Sequence, residues 1–467
     1  MTRAERATLL AASVGTALLL LDVTVVYVAL PAIGKDLGAQ FAEIQWVVDA
    51  YTVVLAGTLL GAGVLADRLG RRRVFSAGVA IFTVCSGLCA IATSGLFLDL
   101  ARGAQGVGAA AIFSASLALL ANEFQGESRG KALGLWGAVT GVALAVGPLI
   151  GGLIVEGLSW RWIFAINIPI GAFLLVVCAR AVPESRAWVR RQLDYAGALL
   201  FAVACLLLAL GLTRGNAAGW DSAEILGSFA GAAVAGAAFV VVELRAPAPM
   251  MPLALFRIPA FSGTALVAFA QSVAIYPILI FLAIYLQEGL SYSPLEAGLR
   301  LLPLTLLILL VAPFSGRLTG RVQLRLPLLG GLALLGVALL LVRGISPGDD
   351  WQALLPGMIV AGIAVGAISP SLAAAMVSVL PTEQSGMSSG INNTFRQLGI
   401  AVGVAALGAI FDARRAAEGG GLGGIVDGLD AVALVAGLTA LIAAAIAWPL
   451  LRGHRAVGEG SGDRAAG

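Results

Sequence analysis

The 467-residue chain carries a single histidine, four cysteines and only 12% charged residues, against 59% hydrophobic ones. Soluble domains have about a quarter of their residues charged, so a chain this poor in charge belongs in a bilayer. The lone histidine, His454, lies in a polar tail, which excludes a histidine proton relay and a metal site built on histidines. Cys85, Cys89, Cys178 and Cys205 fall in apolar stretches without CxxC spacing and read as small buried residues, not disulfides or ligands. No GK[ST] sequence ends a glycine-rich loop, so the chain has no ATP motor of its own. Nor does any nucleophile–base or metal constellation point to an enzyme or to a bound cofactor.

What the chain does have is long apolar runs. A hydrocarbon core about 30 Å thick needs about 20 helical residues to cross it, and the alternating pattern of a membrane barrel is missing. Fourteen such runs are counted, from Ala7–Ile33 to Ala431–Leu451, with twelve as the alternative. The first is too long for a cleaved signal peptide and contains Asp22, so it is expected to stay in place. An even count puts both termini on one side. If that side is the cytoplasm, its segments hold 20 of the 29 Lys and Arg and the opposite ones 7, with Arg102 and Arg396 inside spans. That bias predicts a plasma-membrane protein with both termini cytoplasmic. The net charge of +3 is what remains of the bias and implies no nucleic-acid partner.

Glycine is frequent, 60 residues, so GxxxG pairs arise by chance and carry no dimer signal; a monomer in membrane lipid is expected. "GVLADR" at Gly63–Arg68 and "GRLTGR" at Gly316–Arg321 share Gly, Leu and Arg in register, each after a span ending on the cytoplasmic side. This is the trace of a parallel internal repeat, as transporters have.

Several stretches resemble one family. "GVLADRLGRRRVF", "RGAQGVGAA" and "GVALAVGPLIGG" resemble, in order and topology, three signatures of the major facilitator superfamily, the last being its antiporter motif. "LDVTVVYVALP" and "WRWIFAINIPIG" resemble further signatures of its fourteen-helix drug:proton antiporter branch. The resemblance implies an all-α membrane protein of two six-helix bundles, residues 1–193 and 246–467, with two extra helices over 194–245. It implies export of lipophilic small molecules in exchange for protons. A dedicated exporter of one endogenous metabolite or antibiotic is the alternative.

Asp22 has a physical rationale in that setting. An ionisable residue near mid-span costs about 2.5–3.5 kcal/mol on insertion scales and faces a partner or an aqueous cavity. Asp22 is therefore expected to take up and release a proton and, when charged, to attract a cation; a hydrogen-bonded structural acid is the plainer reading. Asp49 in "QWVVDAY" is a second intramembrane acid, where many relatives in the branch have Thr and exporters of lipophilic cations have Asp. If both acids face one wet pocket, proton and cargo compete there. Tyr27 replaces the branch's common Asn with a ring that can stack on a planar or cationic substrate. Span thirteen contributes Asn392, Asn393, Arg396 and Gln397 but no acid, which favours monovalent over divalent cargo.

The resemblance places Arg102 in the proton path, and a permanent cation beside Asp22 helps expel its proton. Asp99, three residues before Arg102, is the partner in the plainer, structural reading. In the loop after span two, Gly63 and Gly70 permit close packing and a sharp turn, while Asp67 can pair with Arg71 or face a helix N-terminus. The resemblance implies that this helix is span thirteen, and that Asp67, Arg68, Arg71 and Arg72 hold an outward-facing state; Gly320 stands in the corresponding place of the repeat. In the antiporter motif, Gly141, Gly147, Gly151 and Gly152 bare the helix surface and Pro148 bends the span, which predicts close helix approach.

Overall fold

Backbone polar groups in lipid have to be satisfied within the segment, so apolar runs of this length fold as helices. The computed structural model describes residues 1–186, 194–318, 323–380 and 385–452, and among these there are fifteen α-helices and no strand. The first seven are α1 (Arg3–Leu37), α2 (Phe41–Leu69), α3 (Arg71–Ala90), α4 (Gly95–Glu123), α5 (Gly126–Gly157), α6 (Arg161–Ala165) and α7 (Asn167–Ala181). Then come α8 (Tyr195–Ala218) and α9 (Ala223–Arg245). The last six are α10 (Pro259–Ile284), α11 (Pro294–Leu318), α12 (Arg325–Leu341), α13 (Leu355–Ser378), α14 (Ser385–Ala417) and α15 (Gly421–Leu450). Gly320, Arg321 and His454 lie outside the described residues.

Among the described residues, thirteen helical segments are long and apolar enough to cross a membrane, α6 and α7 together making one of them. The remaining predicted span, the eleventh in order, forms α12, whose 17 residues reach about 25 Å. Helix starts are fixed by side-chain caps. Thr2 and Glu5 form a reciprocal box, and Ser94, Asp194 and Ser222 each accept from a backbone N–H three residues on. The sixth span is broken at Ile166. Pro169 lacks the N–H that would donate to the Ala165 carbonyl, so the helix restarts and turns Asn167 inward.

Helices α1–α7 pack on one another, and so do α10–α15. The two sets meet where α5 lies against α11, α2 against α14 and α1 against α10. The pair α8–α9 sits outside, with α8 against both α2 and α14.

The seam between the sets is tight on the side away from the termini, called here the far side. Gln45 donates to the Val404 carbonyl at 3.0 Å and Gln287 to the Val28 carbonyl at 2.9 Å. Glu156 accepts from the Ser293 hydroxyl at 2.5 Å and the Leu295 N–H at 3.0 Å. The glycines of α5 permit close approach on two sides, Gly147 and Gly151 to α1 within the first set and Gly152 to α11 across the seam. A Cβ on Gly147 would collide with the Thr24 hydroxyl, one on Gly151 would lie 3.0 Å from the Val25 carbonyl, and one on Gly152 would collide with the Pro294 carbonyl. The contact is reciprocal: a Cβ on Gly298 would lie 2.5 Å from the Pro148 carbonyl.

Toward the termini the seam loosens. A Cβ on Gly141 would meet Leu309 at an ordinary 3.9 Å, and one on Gly61 or Gly137 would meet nothing within 4 Å. Leu60 against Gly390 keeps α2 and α14 in touch there. The expected close approach thus holds at Gly147, Gly151 and Gly152 but not at Gly141, because the helices diverge along the antiporter motif.

Candidate functional site

Asp22, at the centre of α1, is 2% exposed, and donors from α4 and α7 converge on it. Arg102 of α4 donates to its Oδ2 at 2.5 Å, Gln105 of α4 to its Oδ1 at 3.2 Å, and Asn167 of α7 to the same Oδ1 at 2.8 Å. Ser86 of α3 ties the donors together, accepting from Gln105 at 2.8 Å and Asn167 at 3.3 Å while donating to the Phe82 carbonyl. All three groups on Asp22 are donors, so the carboxyl is the acceptor at the centre of a closed network.

Arg102 is 1% exposed and equally enclosed. It donates to the Val47 carbonyl at 2.9 Å and to Gln105 Oε1 at 2.6 Å, with its guanidinium 4.3 Å from the centre of the Tyr51 ring. The salt bridge to Asp99 is not formed. Arg102 reaches across to α1, and Asp99 Oδ1 is left buried without a partner. A full charge on α1 outweighs the local i,i+3 geometry, because both charges are out of water and the direct pair is short.

Two neutral residues, Gln105 and Asn167, thus belong to the site although only the charges stood out in the sequence. Both lie inside stretches that carried the resemblance, "RGAQG" and "WRWIFAINIP". The same second stretch pins the far side. The Trp160 ring N–H and the Arg161 guanidinium both donate to Asp36 Oδ2, at 3.1 and 2.6 Å, and Arg161 also donates to the Ala92 carbonyl.

Asp49 is fully buried on α2, where Thr213 of α8 donates to its Oδ2 at 3.3 Å and its Oδ1 has no partner. It shares no hydrogen-bond partner with Asp22 among the described residues. The expectation that both acids open into one wet pocket is therefore not met in this state. Asp22 is taken by the Arg102 network, and Asp49 is covered by an extra helix. Tyr27 is 1% exposed with its hydroxyl unpartnered, so its ring is not presented to a substrate here.

In the loop after α2, Asp67 pairs with Arg71 at 3.0 Å, and Arg71 also donates to Asn122 at 3.2 Å. The Arg72 N–H donates to Glu184 at 3.1 Å and its guanidinium to the Val182 carbonyl. Gly70 sits at φ +116°, which favours glycine, and a Cβ there would lie 2.6 Å from the Glu184 carboxylate, which would have to shift. Arg68 is exposed, and a Cβ on Gly63 would meet Ser114 at 3.8 Å. The loop is docked on the end of α7, within its own bundle.

Among the described residues no group of three or more His, Cys, Asp or Glu could hold a metal ion. Two packed helical bundles with a seam closed at one end and a buried ion pair inside a span define a multi-pass membrane transporter, with no arrangement for covalent chemistry. The chain belongs to the Major Facilitator Superfamily, whose profile matches residues 12–404. It is 35% identical over 414 residues to the multidrug resistance protein Stp of Mycobacterium tuberculosis (strain CDC 1551 / Oshkosh), covering 88% of this chain and 77% of that protein. It is 34% identical to the tetracenomycin C resistance and export protein of Streptomyces glaucescens, covering 87% and 76% respectively. The cephamycin export protein CmcT of Amycolatopsis lactamdurans is 36% identical, with 84% and 82% covered. In fold, the chain is similar to the crystal structure of a peptide transporter POT in complex with sulfate, with a TM-score of 0.66 at 18% identity and 95% of both chains covered.

Proposed function

We propose that the chain is a proton-coupled exporter of lipophilic, cationic small molecules, working by alternating access in the plasma membrane with both termini in the cytoplasm. The basic residues on the termini side support the orientation, and the names of the relatives support export of drugs or antibiotics. In that orientation the tight far side is a closed outer gate, and the protein faces the cytoplasm. Residues 1–193 and 246–467 rock against each other, and 194–245 form the extra helices.

The Asp22–Arg102 pair is the observation that carries the coupling. A proton can settle on Asp22 only if Arg102 gives up its place, so loading the acid and releasing the arginine are one event. The pair is a two-state element inside the first bundle, and Asp49 is the second acid available to a cation. Asp67, Arg68, Arg71 and Arg72 change partners between states, turning to the start of α14 from the arrangement seen here, in which Asp67 pairs with Arg71 and Arg72 holds the α7 end. One charge moving through about 150 mV gains roughly 3.5 kcal/mol, enough for about a 300-fold gradient per proton.

Substrate-induced proton release from purified protein tests this reading. Wild type should release protons on adding a lipophilic cation, and Asp22→Asn and Asp49→Asn should each reduce that release; unchanged release from both variants refutes it. The alternative, a dedicated exporter of one antibiotic, is favoured by relatives named for single compounds. A growth panel in a pump-deficient host separates the two: many protected compounds mean the broad exporter, one means the dedicated exporter.

A further inference from the structure

The extra helix α8 lays one face along the seam between α2 and α14. Phe201, Cys205, Ala209, Thr213 and Asn216 recur at helical spacing, and the first three pack with Val53 and Trp46 of α2 and with Ala401 and Leu398 of α14. Ala202 approaches Gly57 of α2 so closely that a Cβ on Gly57 would lie 2.7 Å from the alanine methyl. Two polar residues interrupt this face three positions apart, and each has one tertiary partner across the seam. Thr213 donates to Asp49 of α2, and Asn216 donates to the Ala409 carbonyl of α14 at 2.6 Å. Trp220 holds the Asn216 amide by donating to its Oδ1 at 2.9 Å. On the same stretch of α14, Gln45 of α2 bonds the Val404 carbonyl, so this end of α14 is latched twice.

Threonine in an apolar helix commonly bonds a carbonyl of its own preceding turn. Thr24, Thr52 and Thr58 do so, whereas the recorded bond of Thr213 goes to a buried acid on another helix. Opening the far side must part α14 from α2, and α8 then stays with the helix it grips more closely. The Asn216–Ala409 bond is the one that has to break.

We propose that α8 couples Asp49 to the far-side gate: Thr213 is a positioning residue that fixes the Asp49 carboxyl, and Asn216, one turn on, is the latch. This rests on Asp49 serving transport, as argued above. The ionisable groups facing Asp49 are Asp99 from α4 and Tyr27 from α1; the α14 residues on this seam, Leu398, Ala401 and Val404, carry no charge. Neutralising Asp49, by a proton or a cationic cargo, weakens the charge-assisted bond that it accepts from Thr213 and so loosens the turn that carries Asn216.

The test uses the full-length protein in lipid nanodiscs with spin labels on cysteines introduced at the exposed positions Gln40 and Glu418, on either side of the far-side seam. The distance distribution is recorded across pH for wild type, Asp49→Asn, Thr213→Val, Thr213→Ser and Asn216→Leu. Wild type and Thr213→Ser should switch between a short and a long distance with pH, and Thr213→Val should lose most of that response while remaining folded. Asn216→Leu should raise the long-distance population about fivefold at every pH, the effect of one lost hydrogen bond. A Thr213→Val protein that switches like wild type, with Asp49→Asn unresponsive, overturns the role of α8 and leaves that of Asp49. A response retained in Asp49→Asn overturns the coupling of Asp49 to the gate through α8 and leaves the pH switch with Asp22.

Discussion

Removing the charge of Asp22 leaves Arg102 as a guanidinium 1% exposed with no counter-ion, held by the neutral Val47 carbonyl, Gln105 Oε1 and the Tyr51 ring. Breaking a buried pair from one side costs about 3–5 kcal/mol, because the remaining charge stays desolvated. The lower figure corresponds to a factor of about 150 in a two-state population, enough to hold the transporter in one conformation. Asp22→Asn and Arg102→Gln should therefore each lower the denaturation midpoint and each abolish export driven by a pH gradient in inverted vesicles. The double variant, with neither charge of the pair left, should recover most of the stability and none of the coupled export. The cycle isolates the pair, since its coupling term is the departure from additivity. Stability losses that simply add, or gradient-driven export by Asp22→Asn at the wild-type rate, would refute the reasoning.

Other expectations follow from the same geometry. Gly152→Ala should prevent far-side closure and abolish export while Gly141→Ala leaves it within twofold, read by dye efflux at matched expression, because only the first Cβ meets a backbone carbonyl at close range. Asn167→Leu removes one donor from Asp22 and one from Ser86 and should cost about 1–3 kcal/mol in a denaturation series, with Asn167→Gln no better because the longer amide cannot take the same place. All four cysteines are buried, so the native protein should stay unlabelled by a membrane-impermeant maleimide until unfolded, as mass spectrometry would show.

The number of spans, the two bundles and the intramembrane charges were legible because each is a contrast against a uniform apolar background. Asp22 and Arg102 stand out for that reason. Gln105 and Asn167 do not, since a neutral amide in a helix looks the same whether it bonds its own turn or an acid from another span. Thr213 left no trace, because its role depends on α8 lying in the α2–α14 seam, and that placement is tertiary. Spacing along one helix offers Asp99 as an alternative partner for Arg102 beside Asp22, and only the fold decides for the acid 80 positions away in sequence. The turn at Gly70 was expected from its residue type, whereas its docking partner Glu184, 112 positions beyond Arg72, was not readable from any period.

The crossing of α5 and α11 is built from main chain on both helices: Gly152 lies under the Pro294 carbonyl and Gly298 under the Pro148 carbonyl. A bearing of this kind has no side chains to repack as the angle between its parts changes, so its position stays fixed while the tilt is free. If the two sets rock as proposed, substitutions elsewhere can then change what is carried without moving this crossing.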